Sequence, residues 1–439
     1  MYCISPLDSR YFEKIKDVAK VFSDVNFTKS KLLVECEYIK TVHPILCDEM
    51  SSNRMTNEDV LHVDSICTNF NDIAYTRIKQ IETITNHDIQ ALVQYCNETF
   101  PINARKFIHY GLTSQDINSP AMMLLYKKFN TNILVYSIND ILLSLLNFEQ
   151  QYNKTPMLTF THGQPAMPST FGLQMMVFYD KINAIMMDIS NFKYMTKFGG
   201  SNGNLTSLKY CYKDVDWDEF ANTFITKFGF MRNIHTTQID DYSNYFKLFQ
   251  LYERLCYVLI NMCQDMWLYC HNNYFKLANV PTEVGSSAMP HKINPIQFEN
   301  AEGNLKLAAS MFNTIGSNIC VNRLQRDLTD STILRNVGVA CGHMVLGLRS
   351  IDAGLNRISL NTNVINKDLC ENNQVLMEII QLLMRKWNIS NGYTLCKDFS
   401  RGKNKLNMQE FITYLREKQI ALNRNQIYEL SNISYDKLF

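Results

Sequence analysis

An all-helical fold is what this sequence predicts, from where its prolines fall, where glycine is missing and how its apolar residues repeat. None of the ten prolines lies between Ser169 and Val280 or after Pro295, and glycine is absent from Phe230 to Val284. Proline costs about 3 kcal/mol and glycine about 1 kcal/mol in a helix interior, so such stretches suit long helices. Apolar residues recur at the 3.6-residue period of a buried helix face. With 439 residues, 46% hydrophobic and 19% charged, the chain can bury a large core and is too apolar to be disordered.

Along the chain, Met1-Tyr2-Cys3-Ile4-Ser5-Pro6 lacks the basic and apolar regions of a secretory leader. The break at Thr99-Phe100-Pro101-Ile102-Asn103 marks the end of an N-terminal helical domain, 1–105. A central bundle of long helices follows over 106–355. Its first helix starts at Thr113-Ser114-Gln115-Asp116 and Pro120 and continues through Met122, Leu125, Phe129, Ile133 and Tyr136. The turn pairs Gly199-Gly200 and Asn202-Gly203 predict one hairpin over Phe198–Lys209. Phe246, Phe249, Leu255, Val258, Met262, Met266 and Tyr269 predict a helix of about thirty residues. Pro281, Pro290 and Pro295 bracket a mobile loop between two helices. Leu305, Ala308, Phe312 and Ile315, then Met344, Leu348 and Ile351, continue the pattern. Gly354–Asn366 separates a C-terminal helical domain, 356–439.

Composition excludes several classes of function. A net charge of +1 offers no basic surface for nucleic acid or an anionic membrane. Apolar runs are broken by Lys, Asn or Asp before the roughly 18–20 residues of a membrane span. The thirteen cysteines contain no Cys-x-x-Cys pair, which fits reduced thiols in a cytoplasmic protein. Cys256, Cys263 and Cys270 share a helix face and read as core residues, so no metal site is expected.

Five strings carry chemistry. Gly285-Ser286-Ser287-Ala288-Met289-Pro290-His291-Lys292-Ile293-Asn294-Pro295 combines small donors with an ammonium, which suits an anionic substrate. Thr161-His162-Gly163-Gln164-Pro165-Ala166 offers an imidazole on a tight backbone, and Thr85-Asn86-His87-Asp88 offers a second. Thr113-Ser114 opens a helix, itself an anion site. Arg326 and Arg335 flank Ser331, and their planar forks suit phosphate and carboxylate.

Together with Ser5-Pro6-Leu7-Asp8-Ser9-Arg10-Tyr11 and Ser400-Arg401-Gly402-Lys403, these strings resemble the adenylosuccinate lyase family of the fumarase/aspartase superfamily, over nearly the whole chain. The resemblance implies a three-domain, all-helical homotetramer with active sites shared between subunits. It also implies anti elimination of fumarate from adenylosuccinate, giving AMP, and from the succinylcarboxamide ribotide SAICAR, giving AICAR. No metal or organic cofactor is implied. Removing a proton beside a carboxylate builds an aci-carboxylate, so the site needs a base, charge-stabilising donors and an acid for the leaving nitrogen.

By resemblance, Ser286 is the base as a serinate and His162 the acid. Ser287, Lys292 and Asn294 hold carboxylate charge. Asn86, His87 and Asp88 line the pocket, with Asp88 a candidate to fix an imidazole tautomer. Thr113 and Ser114 bind the succinyl or phosphate region, and Arg326, Ser331 and Arg335 bind phosphate and carboxylate. Arg10, Tyr11, Gln238 and Asn300 contact the ligand, and Glu302 is a candidate to orient His162. The chain departs from the family pattern in Phe198–Ser207, which has extra polar residues, and the resemblance fades past Leu430. Two alternatives stay open: another fumarate-releasing lyase, such as argininosuccinate lyase, or a catalytically silent structural homologue.

Overall fold

The stretch free of proline and glycine from Phe230 to Val280 contains one helix of 29 residues, Ser243–His271. Tyr245, Leu248, Phe249, Tyr252, Leu255, Cys256, Leu259, Met262, Cys263 and Met266 are buried along it. Phe249, Leu255, Met262 and Met266 of the predicted apolar face are among them, Phe246, Val258 and Tyr269 are half-buried, and two of the three evenly spaced cysteines are core residues. The computed structural model describes residues 3–47, 54–403 and 405–439. Met1 and Tyr2, part of the stretch read for a leader, lie outside the described residues. Helices dominate, including Ile296–Ile319 and Val337–Leu355 where apolar repeats were predicted, with three two-stranded sheets among the described residues.

The chain forms two compact units. The first comprises Met1–Asn139, Ala184–Ile260 and Ala301–Arg349; the second comprises Asp140–Asn183, Asn261–Asn300 and Ser350–Phe439.

In the first unit the helix Asp24–Leu46 packs on Ser114–Phe129, and Asp72–Thr85 packs on Asp88–Thr99. Tyr126 meets Tyr245 and Phe249 edge to face, and Phe312 lies against Phe249 and Tyr252. Such aromatic pairs contribute about 0.5–1.5 kcal/mol each beyond their buried area. The helix Ser114–Phe129 starts at the predicted signal, with Thr113 as its extended N-cap and Pro120 accommodated in its interior. It continues through a π-turn, Asn130–Leu134, into Val135–Tyr152. Buried Asn130 explains the tolerance of that turn: its amide donates to Tyr194 Oη at 2.8 Å and accepts from Tyr252 Oη at 2.5 Å. Contrary to the expectation from interrupted apolar runs, Ser114–Tyr152 is long and apolar enough to cross a membrane by composition, although half of its most apolar stretch is buried within the protein. Core helices of soluble proteins have the same character.

The predicted hairpin at Phe198–Lys209 does not form. That segment holds a 3-10 turn, Gly200–Asn202, and a short helix, Thr206–Cys211. Its glycines serve close approach instead of chain reversal: a Cβ on Gly203 would sit 1.9 Å from the Thr236 carbonyl oxygen. The preceding strand, Met195–Lys197, pairs in parallel with Met231–Asn233.

The second unit contains the hairpin that sequence reading missed, Pro156–Thr161 paired antiparallel with Gln164–Thr170. Pro165 and Pro168 disguised it, yet proline is tolerated on an edge, and a two-stranded sheet has only edges. Phe171 packs edge to face on Phe148 and Phe275. Phe275–Leu277 pairs with Ile358–Leu360. Near the C-terminus, Ile380, Met384, Phe399, Phe411, Ile412, Leu415 and Leu430 form a core of their own. Tyr435 Oη ties the last helical turn back to the Leu369 carbonyl at 2.7 Å, so order continues past Leu430.

Candidate active site

Three separate chain segments of the first unit converge on one cavity of about 440 Å³. Asn86, His87 and Asp88 come from the turn between two helices, Ser114 from a helix start, and Arg326, Ser331 and Arg335 from the segment around the short helix Thr329–Leu334. Seven residues singled out in the sequence thus line a single space. Glu82, Gln115, Asn118, Ser119, Tyr242 and Tyr245 complete its polar wall.

The turn at Asn86 owes its shape to a left-handed backbone, φ 50°, which asparagine tolerates better than most residues. His87 then caps the helix Asp88–Thr99: its Nδ1 accepts the Gln90 backbone N–H at 3.1 Å. In the neutral ring the proton therefore sits on Nε2. That overturns the expectation that Asp88 sets the tautomer. Asp88 instead accepts from Lys31 Nζ at 2.6 Å and from the Ile89 N–H at 2.8 Å, and its Oδ1 lies 3.8 Å from His87 Nδ1. Burial alone would raise the Asp88 carboxyl, but the Lys31 ammonium holds it below the usual carboxylate range. Lys31 lies 57 positions away and carries no sequence signal for this role.

Behind the Ser114 wall lies a buried polar network. Asp116 accepts the Thr113 N–H at 2.8 Å, as the third residue of a capping box does. Its Oδ1 also accepts from Lys197 Nζ at 2.7 Å, the Gly199 N–H at 2.8 Å and the Gly200 N–H at 3.2 Å. Ser119 Oγ donates to Asp240 Oδ2 at 3.0 Å, and Asn233 Nδ2 donates to Asp240 Oδ1 at 2.8 Å. Burial first, and the neighbouring Asp241 charge second, push the Asp240 carboxyl up to about 6. The folded chain therefore holds this proton more tightly than the unfolded chain does. Its stabilising contribution is complete below about pH 4 and is lost as pH rises to about 6. Asp240→Asn is expected to flatten that part of the stability profile, measured as the urea midpoint at pH 4.5 and pH 7; an unchanged slope would exclude Asp240 as the group responsible.

Arg326 and Ser331 meet at buried Asp330. Arg326 Nη1 donates to its two carboxylate oxygens at 3.2 and 3.0 Å, the Ser331 N–H donates to Oδ1 at 2.7 Å, and the Tyr242 hydroxyl donates to Oδ2. Arg335 is exposed at the cavity wall.

In the second unit, His162 and Gly163 are the two loop residues of the Pro156–Thr170 hairpin, with φ of 55° and 73°. A two-residue hairpin loop of this kind needs positive φ at both positions, which explains the glycine and holds the exposed imidazole at a turn tip. Residues 278–295 run without helix or strand between Leu277 and Ile296, so the loop predicted between two helices follows a short strand instead. Ser286 Oγ accepts the backbone N–H groups of Met289 at 3.0 Å and Ala288 at 3.3 Å. Two such donors favour a negative charge on that oxygen. Asn294 Nδ2 donates to the Gly285 carbonyl at 2.6 Å and closes the loop. A Cβ on Gly285 would lie 1.9 Å from the Lys292 carbonyl, so only glycine fits there without a shift. Ser287 and Lys292 are exposed.

The other predicted residues have local partners. Arg10 stacks over the Tyr11 ring at 5.8 Å, and Gln238 Nε2 donates to the Ser201 carbonyl at 3.3 Å. Asn300 Oδ1 accepts from Ser350 Oγ at 2.8 Å. Glu302 pairs with Lys306 at 2.6 Å. None of these, nor Thr113, is among the residues lining the 440 Å³ cavity.

Comparison with known proteins now adds to this geometry. The lyase family pattern matches residues 24–309, and the adenylosuccinate lyase C-terminal pattern matches residues 322–436, so the similarity extends past Leu430. The chain is 36% identical to adenylosuccinate lyase of Buchnera aphidicola subsp. Acyrthosiphon pisum over 405 residues, 91% of this chain and 89% of that protein. It is 36% identical to adenylosuccinate lyase of Dictyostelium discoideum, covering 94% of this chain and 91% of that protein. Among solved structures, β-carboxy-cis,cis-muconate cycloisomerase from Acinetobacter calcoaceticus sp. ADP1 superposes with a TM-score of 0.73 at 15% identity, covering 96% of each chain. Fumarate lyase from Mesorhizobium sp. BNC1 gives 0.72 at 16% identity, covering 96% of this chain and 94% of that one. At those identities the shared property is the fold.

Proposed function

The chain belongs to the adenylosuccinate lyase family, and on that premise we propose that it eliminates fumarate from adenylosuccinate to give AMP, and from SAICAR to give AICAR. The observation that carries this reading is the convergence of Asn86, His87, Asp88, Ser114, Arg326, Ser331 and Arg335 on one cavity. Two guanidinium groups, a helix start and hydroxyl donors suit a ligand bearing phosphate and carboxylates.

In the proposed reaction, the Ser286 oxyanion takes the proton from the succinyl carbon beside a carboxylate. The carbanion is held as an aci-carboxylate by cationic and amide donors, for which Lys292, Asn294 and Ser287 are the candidates. The C–N bond then breaks, and the His162 imidazolium protonates the leaving nitrogen. An imidazolium can hand its ring proton to the leaving nitrogen and is left with a lone pair that can take a proton back. Asn294 donates one amide hydrogen to the Gly285 carbonyl and has a second to offer a substrate.

A cytoplasmic homotetramer with active sites built from different subunits accompanies this reading. In the second unit Leu143, Leu173 and Val177 are exposed large apolar residues on long helices, side chains of the kind that subunit association would cover.

The test is direct elimination by purified protein: adenylosuccinate is added, the ultraviolet change is followed, and AMP and fumarate are separated. Both products are expected. Mixing Ser286→Ala and His162→Ala proteins is expected to restore part of the activity if different subunits supply the two residues. A folded protein that leaves adenylosuccinate and SAICAR intact would refute the reading and direct the assay to argininosuccinate.

A further inference from the structure

We infer that Asp330, held by Tyr242, is a positioning residue that aims Arg326 and Ser331 at the anionic end of the substrate. The inference rests on the proposed lyase reading, because it assigns the arginine a ligand. Asp330 is 1% exposed and does not line the cavity itself. Its Oδ1 accepts from the Ser331 backbone N–H at 2.7 Å and the Ser331 hydroxyl at 3.3 Å. Its Oδ2 accepts from Arg326 Nη1 at 3.0 Å and from the Tyr242 hydroxyl. Arg326 Nη2 also reaches Ser331 Oγ at 3.4 Å. Tyr242 is 1% exposed and comes from a distant part of the chain, 88 positions away, so the anchor does not move with the short helix that carries Asp330.

Two physical effects oppose each other here. As a charge, Asp330 subtracts from the positive field that Arg326 offers an anion. As an anchor, it holds a flexible guanidinium in one orientation, so less freedom is lost when a ligand binds. The burial of the carboxylate and its fixed partner in Tyr242 favour the anchor. The sign of the effect therefore decides the matter. Without Asp330, anion binding weakens if orientation dominates and strengthens if charge dominates.

The experiment compares the full-length wild type with Asp330→Asn, a change of charge at nearly constant shape. Calorimetric binding of AMP and of inorganic phosphate is measured beside steady-state kinetics on adenylosuccinate. The expected result is an AMP Kd and a substrate KM each raised about tenfold, with kcat changed by less than about threefold. Adding Arg326→Ala to Asp330→Asn is expected to weaken binding no further than Arg326→Ala alone. Unchanged or tighter AMP binding in Asp330→Asn, or full additivity with Arg326→Ala, overturns the inference. If Asp330→Asn does not fold, Tyr242→Phe removes only the anchoring hydroxyl, and the same outcomes apply with a change of about threefold. Absence of turnover in the wild type counts against the lyase reading alone. A crystal structure of the Asp330→Asn or Tyr242→Phe protein in which Arg326 keeps its orientation overturns the positioning role by itself.

Discussion

Replacing Ser286 with alanine is expected to lower kcat by about a thousandfold or more while leaving substrate affinity within a few-fold. The serine oxygen is the proposed acceptor of the succinyl proton, and no other atom of its side chain can take that place. Its two backbone donors, Ala288 and Met289, mean that alanine also removes a turn contact. That contact is comparable with a helix cap, about 1 kcal/mol, too little to unfold the protein. Loss of turnover with an unchanged melting profile and retained AMP binding would therefore locate the defect in the chemical step. Near-normal turnover would remove Ser286 as the base and move attention to Ser287, its exposed neighbour.

Replacing Lys197 with methionine is expected to destabilise the first unit by about 3–5 kcal/mol, the usual effect of leaving one member of a buried ion pair alone. Both side chains of the Lys197–Asp116 pair are completely buried, and the ammonium lies 2.7 Å from both the carboxylate and the Gly200 carbonyl. Burial pulls the Lys197 pKa below its ordinary value, although the Asp116 charge works against that. Asp116 would keep its backbone donors from Thr113, Gly199 and Gly200 but lose the Lys197 ammonium. A double variant, Lys197→Met with Asp116→Leu, is expected to recover part of the loss, since neither charge is left unpaired. Urea unfolding of the three variants would show this; a Lys197→Met protein within about 1 kcal/mol of wild type would mean the ammonium is dispensable. Because Asp116 holds the backbone just before Ser114, the single variant is also expected to raise KM.

Much of the fold was legible because helices are local. Absence of proline and glycine together with a repeating apolar face is enough to identify Ser243–His271, and in Ile296–Ile319 and Val337–Leu355, which contain glycines, the apolar repeat and the absence of proline suffice. The hairpins were read wrongly for a reason of the same kind. Gly199-Gly200 and Asn202-Gly203 look like turns, but they serve backbone approach to Thr236 and Asp116, residues that no local window contains. His162-Gly163 is the true turn, hidden by the prolines beside it.

The candidate residues divide in the same way. The side chains that line the cavity occur in short, chemically distinctive strings, so Asn86-His87-Asp88, Ser114, and Arg326 with Ser331 and Arg335 could be named before any fold was known. The residues that hold them do not. Lys31 stands 57 positions from Asp88, Lys197 81 from Asp116, and Tyr242 88 from Asp330. By itself the sequence determined the helical class, the family and the chemistry available to it. Only the tertiary structure decided which buried charges face one another, because an ion pair in a low-dielectric interior is selected by distance in space, and distance along the chain carries no record of it.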